Sequence, residues 1–173
     1  MTRAIRLAGL LVLLALLFPE FGRYRAEWML SAVHARLDRA LRGIDRGEVA
    51  MTSVGIAADQ AQQAAAFLPG DPRPPMLQGI ALILGGKGAQ AVAVLDAAIA
   101  QGERPEFTIN LGRARTILGD EAGAHAAYLR TAWASTDAIA TLPKAVRESL
   151  LAEVSVLEGD LRAQKLVAPP PLQ

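Results

Sequence analysis

The sequence predicts an all-α fold, in which a short α-solenoid of helical hairpins follows an N-terminal apolar helix. Three patterns support this fold class. Small and apolar residues recur at a fixed interval of 33 positions between residues 72 and 132. Apolar residues elsewhere follow the three- and four-residue steps of a helix, and residues 7–18 are almost entirely apolar. A repeat length near 34 residues is typical of stacked helical hairpins, which bury their apolar faces only against neighbours.

The first element is an apolar segment with a charged start. Arg3 and Arg6 precede a run from Leu7 to Phe18, as in an export signal. The run is shorter than the roughly 20 residues that usually cross a membrane. Residues 4–21 approach that length if Arg6 extends toward the headgroups. Because no small-x-small cleavage site follows, we predict an uncleaved signal anchor at residues 1–22, while a removed signal peptide or a buried soluble helix stays open.

Aromatic residues and arginines follow the apolar run. Phe18, Phe21, Tyr24 and Trp28 are residue types that settle at a membrane interface. Arginines flank the segment on both sides, so the charge bias is nearly balanced. The export-like start favours an amino end inside the cytoplasm. We therefore expect a single-pass protein of the bacterial inner membrane, with its later helices in the periplasm; the bacterial assignment follows from the excess of arginine over lysine and from abundant alanine.

Residues 23–48 are predicted to form an amphipathic connecting helix. Its apolar seam has a period of 3.5 residues. The seam comprises Leu30, Val33, Leu37, Ala40 and Ile44. The simplest interpretation is a first solenoid helix that packs against a second apolar helix, Val49 to Leu68. A docking helix for a membrane partner and a basic contact with anionic lipid are the alternatives.

Two tandem units make up residues 72–132. Gly79, Ala81, Gly86, Ala91, Leu95 and Ala98 recur as Gly112, Ala114, Gly119, Ala124, Tyr128 and Thr131. Glycine and alanine on facing helices allow their axes to approach closely. Gly86 and Gly119 are predicted to end the first helix of each unit, because glycine adopts the left-handed C-cap conformation without steric cost.

This pattern resembles the tetratricopeptide repeat, a 34-residue helical hairpin. The second unit is the more similar, through Asn110-Leu111-Gly112-Arg113-Ala114, Leu118-Gly119-Asp120-Glu121-Ala122, Ala124 and Tyr128. Flanking helices must complete the stack, since about three units are usually needed for stability. We therefore predict a repeat domain over residues 49–165, with a last helix that opens at Thr141-Leu142-Pro143 and presents Val146, Leu150, Val154 and Leu161. Residues 166–173 are predicted to be a mobile, proline-rich tail.

The resemblance also implies a protein-binding groove, which in this family is lined mainly by the first helix of each unit. The matching positions are Arg73, Met76, Ile80, Ile83, Leu84, Ile109, Asn110, Arg113, Thr116 and Ile117. Such a groove would be apolar with a few cations. It would suit an apolar helix or an extended segment of a partner, with Arg113 fixing the polarity. Packing of the same residues against neighbouring helices is the equally open alternative.

The residue types argue against several other functions. A net charge of +1 argues against general nucleic-acid binding. No catalytic, cofactor or metal-binding motif is found, and there is no cysteine for a disulfide or a lipidated anchor. Gly85-Gly86-Lys87-Gly88 is interpreted as a turn between helices, and His34 and His125 as packed or surface residues. We predict no enzyme activity and no cofactor.

The sequence thus favours a membrane-anchored adaptor that binds protein partners of a membrane or periplasmic complex and helps to assemble or hold it. One alternative is a noncatalytic structural subunit of a membrane-bound enzyme or secretion complex. An enzyme with an unfamiliar site is the remaining one.

Overall fold

A computed structural model describes the backbone of residues 2–165, 170 and 172, and the side chains of these residues from residue 20 onward. The described elements are helical, which confirms the predicted all-α class. The chain divides into two compact units, Met1–Leu77 and Gln78–Gln173. Helix α3 begins in the first unit and ends in the second.

The first unit is built on a hairpin of α1, Thr2–Leu41, and α2, Gly47–Ala65. The predicted seam is buried at Leu30, Val33 and Leu37. It packs against α2, whose buried face comprises Val54, Ala57, Ala58, Ala61 and Ala64. These alanines let the two helices approach closely, because little side-chain volume separates them.

The seam prediction is wrong at Ile44, which is 60% exposed. Helix α1 ends at Leu41, and Gly43 has a φ of +66° in the connection to α2. The helical period therefore stops before Ile44, so this side chain no longer shares a face with Leu37. Periodicity alone did not reveal the break, because the apolar spacing continues past the end of the helix.

The apolar run from Leu7 to Phe18 lies outside the residues whose side chains are described. Its backbone belongs to α1, which continues without interruption through position 19 to Leu41. Across the described residues, no helix combines the length and apolar character needed to cross a membrane.

Two hairpins follow, and three of their four pairs of equivalent helix ends lie 33 positions apart, as predicted. Helix α3 spans Arg73–Leu84 and α4 spans Gly88–Gln101; α5 spans Pro105–Ile117 and α6 spans Glu121–Ala134. The first and last residues of α6 each lie 33 positions after those of α4. Gly86 and Gly119 have φ values of +68° and +73°, which confirms that each glycine adopts the left-handed conformation after a helix.

The same close contact occurs at equivalent places in the second unit. A Cβ atom at Gly79 would lie 2.8 Å from Leu95 Cδ2, and one at Gly112 would lie 2.5 Å from Tyr128 Cδ1. Each glycine thus accommodates the large residue of the facing helix, a pairing that the sequence did not predict, although it did predict close approach of the helices at these glycines. Thr131, which occupies a position usually held by alanine in the resembled family, is fully buried and its Oγ1 lies 2.7 Å from that of Thr108.

The second unit ends with a short 3-10 helix, Thr136–Thr141, and α7, Lys144–Arg162. Leu150 and Val154 of α7 join a core cluster with Ile109, Ala132, Ile139 and Leu142. The last helix was therefore predicted correctly in position, and two of the four apolar residues noted on it, Leu150 and Val154, are buried. Val146 and Leu161 are exposed, because α7 has only one narrow buried face.

Candidate interaction surfaces

The first of the groove positions, Arg73, is held by two carboxylates within the first unit. Its Nη2 lies 2.6 Å from Asp71 Oδ2, and its Nη1 donates to Glu27 Oε2 at 2.9 Å. These hydrogen bonds, that of Asp71 above all, raise the pKa of Arg73 above its ordinary value. Arg73 therefore joins the start of α3 to α1.

Two open clefts of the first unit share Glu27 and Arg73. The larger has a volume of about 450 Å³ and is also lined by Arg23 and the turn Leu68-Pro69-Gly70-Asp71. The smaller, of about 290 Å³, includes His34 and the predicted groove residue Met76. Their walls are a mixture of charged and apolar groups on α1 and α3.

Two of the predicted groove positions on α5 are covered by other elements of the second unit. Ile109 is buried in the core cluster beside Ile139 of the 3-10 helix and Leu150 of α7. Asn110 is also buried, and its Nδ2 donates to the main-chain oxygen of Glu106 at 2.8 Å. Ile109 and Asn110 therefore do not offer a free surface here, because the elements after α6 cover this part of α5.

Arg113 lies at the edge of the same contact. Its Nη1 donates to Asn110 Oδ1 at 3.0 Å, and its Nη2 donates to Thr141 Oγ1 at 2.6 Å. Both acceptors are uncharged, so these contacts leave the positive charge of the guanidinium uncompensated. The side chain is half-buried and remains a candidate partner for an anionic group.

The other groove positions are more accessible. Ile80, Ile83 and Leu84 on α3 are half-buried, and Ile117 on α5 is exposed. Thr116 is also exposed, and its hydroxyl donates to the main-chain oxygen of Gly112 at 2.9 Å. The structure thus leaves part of the predicted set available for contact with another molecule.

A strip of exposed aromatic residues lies on α1, with Phe21 68% exposed, Tyr24 73% and Trp28 67%. At 100° per residue, these three side chains fall within an arc of about 60° on the helix. The face that packs against α2, which includes Leu30 and Val33, lies on the other side of α1. Three large exposed aromatic residues on one face of a helix form an apolar surface that is typical of a contact site for a protein or a membrane.

A second surface, on α5 and α6, was missed by the sequence analysis. Arg115 and Arg130 have only 17% and 18% of their side chains exposed. Arg115 Nη1 donates to the main-chain oxygen of Leu172 at 2.7 Å, and Arg130 Nη1 donates to that of Pro170 at 3.3 Å. The described residues of the C-terminal tail therefore lie against this surface. Nothing in the spacing of the two arginines indicated that role.

Arg130 is oriented by a second partner. Its Nε and Nη2 donate to the two carboxylate oxygens of Glu103, at 2.5 and 2.6 Å. This bidentate pairing lowers the pKa of Glu103, through the hydrogen bond from Arg130, and raises the pKa of Arg130. The pairing leaves Nη1 of Arg130 available to donate to the main-chain oxygen of Pro170.

Two further titratable groups of the second unit have structural partners. His125 Nε2 lies 2.9 Å from Glu153 Oε2 on α7. Asp120 accepts a hydrogen bond from the main-chain nitrogen of Gly123 and so caps α6. Within the described residues, no group of three or more histidine, cysteine or acidic residues is arranged to hold a metal ion.

Comparison with protein-family models, curated proteins and solved structures finds no match to this chain.

Proposed function

We propose that this protein is a membrane-anchored adaptor whose helical hairpins, similar to tetratricopeptide repeats, bind protein partners in the periplasm of a bacterium. The observation that carries the proposal is the repeated hairpin in the second unit. The contacts of Gly79 with Leu95 and of Gly112 with Tyr128 are equivalent and lie 33 positions apart. Repeated hairpins of this kind build extended surfaces that hold other molecules.

The proposed anchor is the N-terminal part of α1. The apolar run Leu7 to Phe18 has the composition of a membrane segment, and the same helix carries the aromatic strip. With a rise of 1.5 Å per residue, Phe21 and Tyr24 would lie about 5 and 9 Å beyond Phe18 along the axis, and Trp28 about 15 Å beyond it. A headgroup region is about 5 to 8 Å thick on each side of the hydrocarbon core.

Phe21 thus lies within the headgroup region, where aromatic residues are enriched. Tyr24 lies at its outer edge, and its side chain can reach back into it, because helical side chains point toward the N-terminus of the helix. Trp28 would lie outside that region when α1 stands upright. We assign Trp28 to contact with a protein partner, since an exposed tryptophan is a typical anchor of a protein interface. This partner belongs to an envelope complex that the adaptor helps to assemble or hold.

Affinity purification from native membranes tests this function. The full chain with a C-terminal tag is compared with Trp28→Ala, with Tyr24→Ala as the matched control and with a variant that lacks residues 2–18. We expect Trp28→Ala to lose a specific set of substoichiometric partners, while Tyr24→Ala retains it. A partner set at fixed ratio that survives high salt would instead indicate a noncatalytic structural subunit of a membrane complex. No specific partner in any sample would contradict both functions.

Membrane orientation needs a separate experiment. Fusion of alkaline phosphatase to the C-terminus should give active enzyme, because that enzyme requires the oxidising periplasm for its disulfides. Fusion of the same reporter to a variant that lacks residues 2–18 is the control and should be inactive. An inactive full-length fusion that is nevertheless in the membrane would place the helical units in the cytoplasm and contradict the proposed orientation.

A further inference from the structure

We propose that the surface formed by Arg115 and Arg130 on α5 and α6 is a binding site for an extended, proline-rich peptide, and that the chain's own C-terminal tail occupies it in cis. The site would bind one class of partner, an extended proline-rich peptide, and its biological role rests on the proposed adaptor function. It starts from the two hydrogen bonds that the arginines donate to the main-chain oxygens of Leu172 and Pro170.

The two arginines are fixed in place by the second unit before the tail is considered. Arg130 is clamped by Glu103 through Nε and Nη2, and Arg115 Nη1 also donates to the main-chain oxygen of Gly123 at 3.1 Å. With the tail in place, both side chains are more than four-fifths buried. Two ordered guanidinium groups therefore present unused N–H donors at one surface, with little side-chain entropy left to lose on binding.

A proline-rich segment is the chemical complement of such a donor surface. Each proline keeps its carbonyl oxygen but lacks an N–H group. The sequence Pro169-Pro170-Pro171 thus offers three consecutive carbonyl acceptors on residues that carry no N–H donor. Proline also restricts φ, so an extended peptide of this kind loses little conformational entropy when it binds.

The ligand groups on the tail are main-chain carbonyls and not a terminal carboxylate. Pro170 and Leu172 are two residues apart, which in an extended proline helix separates their carbonyls by about 6 Å. Recognition through main-chain carbonyls predicts that an amidated peptide binds as well as a free acid. An apolar helix would not fit, because its carbonyls are already bonded within the helix.

The first experiment measures the tail on the full chain. The sequence contains no cysteine, so Gln173→Cys allows one fluorophore at the C-terminus. We expect restricted motion of the dye by fluorescence anisotropy, and a marked loss of that restriction in Arg115→Gln. Arg147→Gln is the matched control, because Arg147 likewise donates to main-chain oxygens, those of Ala140 and Leu142, but on α7. Equal anisotropy in the unmodified chain and in Arg115→Gln, with both folded by circular dichroism, would overturn the proposal.

Dilution distinguishes the cis arrangement from exchange between copies. A tail bound to its own chain gives an anisotropy that is independent of protein concentration. A fall in anisotropy on hundred-fold dilution would show that the tail binds a second copy, and would overturn the cis assignment.

The second experiment tests the site itself with the synthetic peptide of residues 166–173, amidated at its C-terminus. A chain that ends at Lys165 should bind this peptide at least about ten-fold more tightly than the full chain does, because the covalent tail competes at a high effective concentration. Arg115→Gln in the shortened chain should weaken binding by about ten-fold or more, as expected for loss of a hydrogen bond from a charged donor. Arg147→Gln should not. Binding of the free acid but not of the amide would overturn the assignment to main-chain carbonyls.

These outcomes are separate from those of the proposed function. The peptide measurements need no membrane partner, so their failure would leave capture by the aromatic strip untouched. Conversely, the absence of any specific partner in the purification from native membranes would not contradict the peptide site at Arg115 and Arg130.

Discussion

Replacement of Gly112 by alanine tests whether α5 and α6 depend on close approach. The added Cβ would lie 2.5 Å from Tyr128 Cδ1 and still closer to Cε1, and 2.9 Å from Cζ. Ordinary contacts between carbon atoms are about 3.5 to 4.0 Å. The tyrosine ring must therefore move by about 1 Å or the helices must separate. Movement of the ring would also disturb the contact of Tyr128 Oη with Thr116 Oγ1, which are 3.2 Å apart.

Two opposing effects set the magnitude. Overpacking of this kind costs about 1 to 3 kcal/mol. Alanine is intrinsically better than glycine within a helix by about 1 kcal/mol, which offsets part of that cost. We expect Gly112→Ala to lower the free energy of unfolding by up to about 2 kcal/mol, and thus to lower the melting temperature by up to several degrees.

Urea unfolding of the full chain, followed by circular dichroism at 222 nm, measures this change. Gly159→Ala is the matched control, because Gly159 also lies in a helix but a Cβ there would meet no atom within 4 Å. This control should be stabilising by about 0.5 to 1 kcal/mol. Gly112→Ala combined with Tyr128→Ala should show no further loss relative to Tyr128→Ala alone. If Gly112→Ala and Gly159→Ala are equally stabilising, the close approach of α5 and α6 is refuted.

The remaining predictions concern polar contacts of the second unit. Glu103→Gln should lower the free energy of unfolding by about 1 kcal/mol at pH 7. Because the pKa of Glu103 is lowered in the folded state, this contribution is complete above the ordinary glutamate pKa and is lost as the pH falls through the lowered value. Urea unfolding of both chains between pH 3 and pH 7 checks this, and a difference that grows toward low pH would contradict it. Asp120→Ala should cost about 1 kcal/mol through loss of the cap on α6, while Asp120→Asn should retain most of it, and an equal loss in both would argue against the cap. Thr131→Val should be destabilising by about 1 to 2 kcal/mol, since it leaves the buried Thr108 hydroxyl with only its longer contact to Pro105, and thermal unfolding that matches the unmodified chain would show that the pair contributes nothing.

The hairpins were predictable because local rules determine them. Gly86 and Gly119 end helices through their own backbone conformation, which does not depend on distant parts of the chain. Glycine is required at positions 79 and 112 because a large side chain of the facing helix packs against each of them. The regular interval of 33 positions made both signals visible in one sequence. The α1 and α2 pairing followed from the apolar seam for the same reason.

Other features depend on contacts that no local pattern encodes. Ile109 looked like a groove residue, but it is covered by the 3-10 helix at Thr136–Thr141, which the sequence analysis did not identify. The role of Arg115 depends on a residue 57 positions away. Ile44 kept the apolar spacing after the helix had ended. In each case a distant segment or a backbone turn decides the outcome.

The unbroken course of α1 has a geometric consequence. A continuous helix turns by 100° and advances by 1.5 Å for each residue, so an insertion within it changes how one end faces relative to the other. Insertion of one residue near position 20 would rotate residues 2–19 by about 100° about the helix axis, relative to the face of α1 that packs on α2. Insertion of seven residues, close to two full turns, would restore the original facing but displace it by about 10 Å. The length of α1 therefore determines both the rotation and the axial distance of residues 2–19 relative to the face that packs on α2.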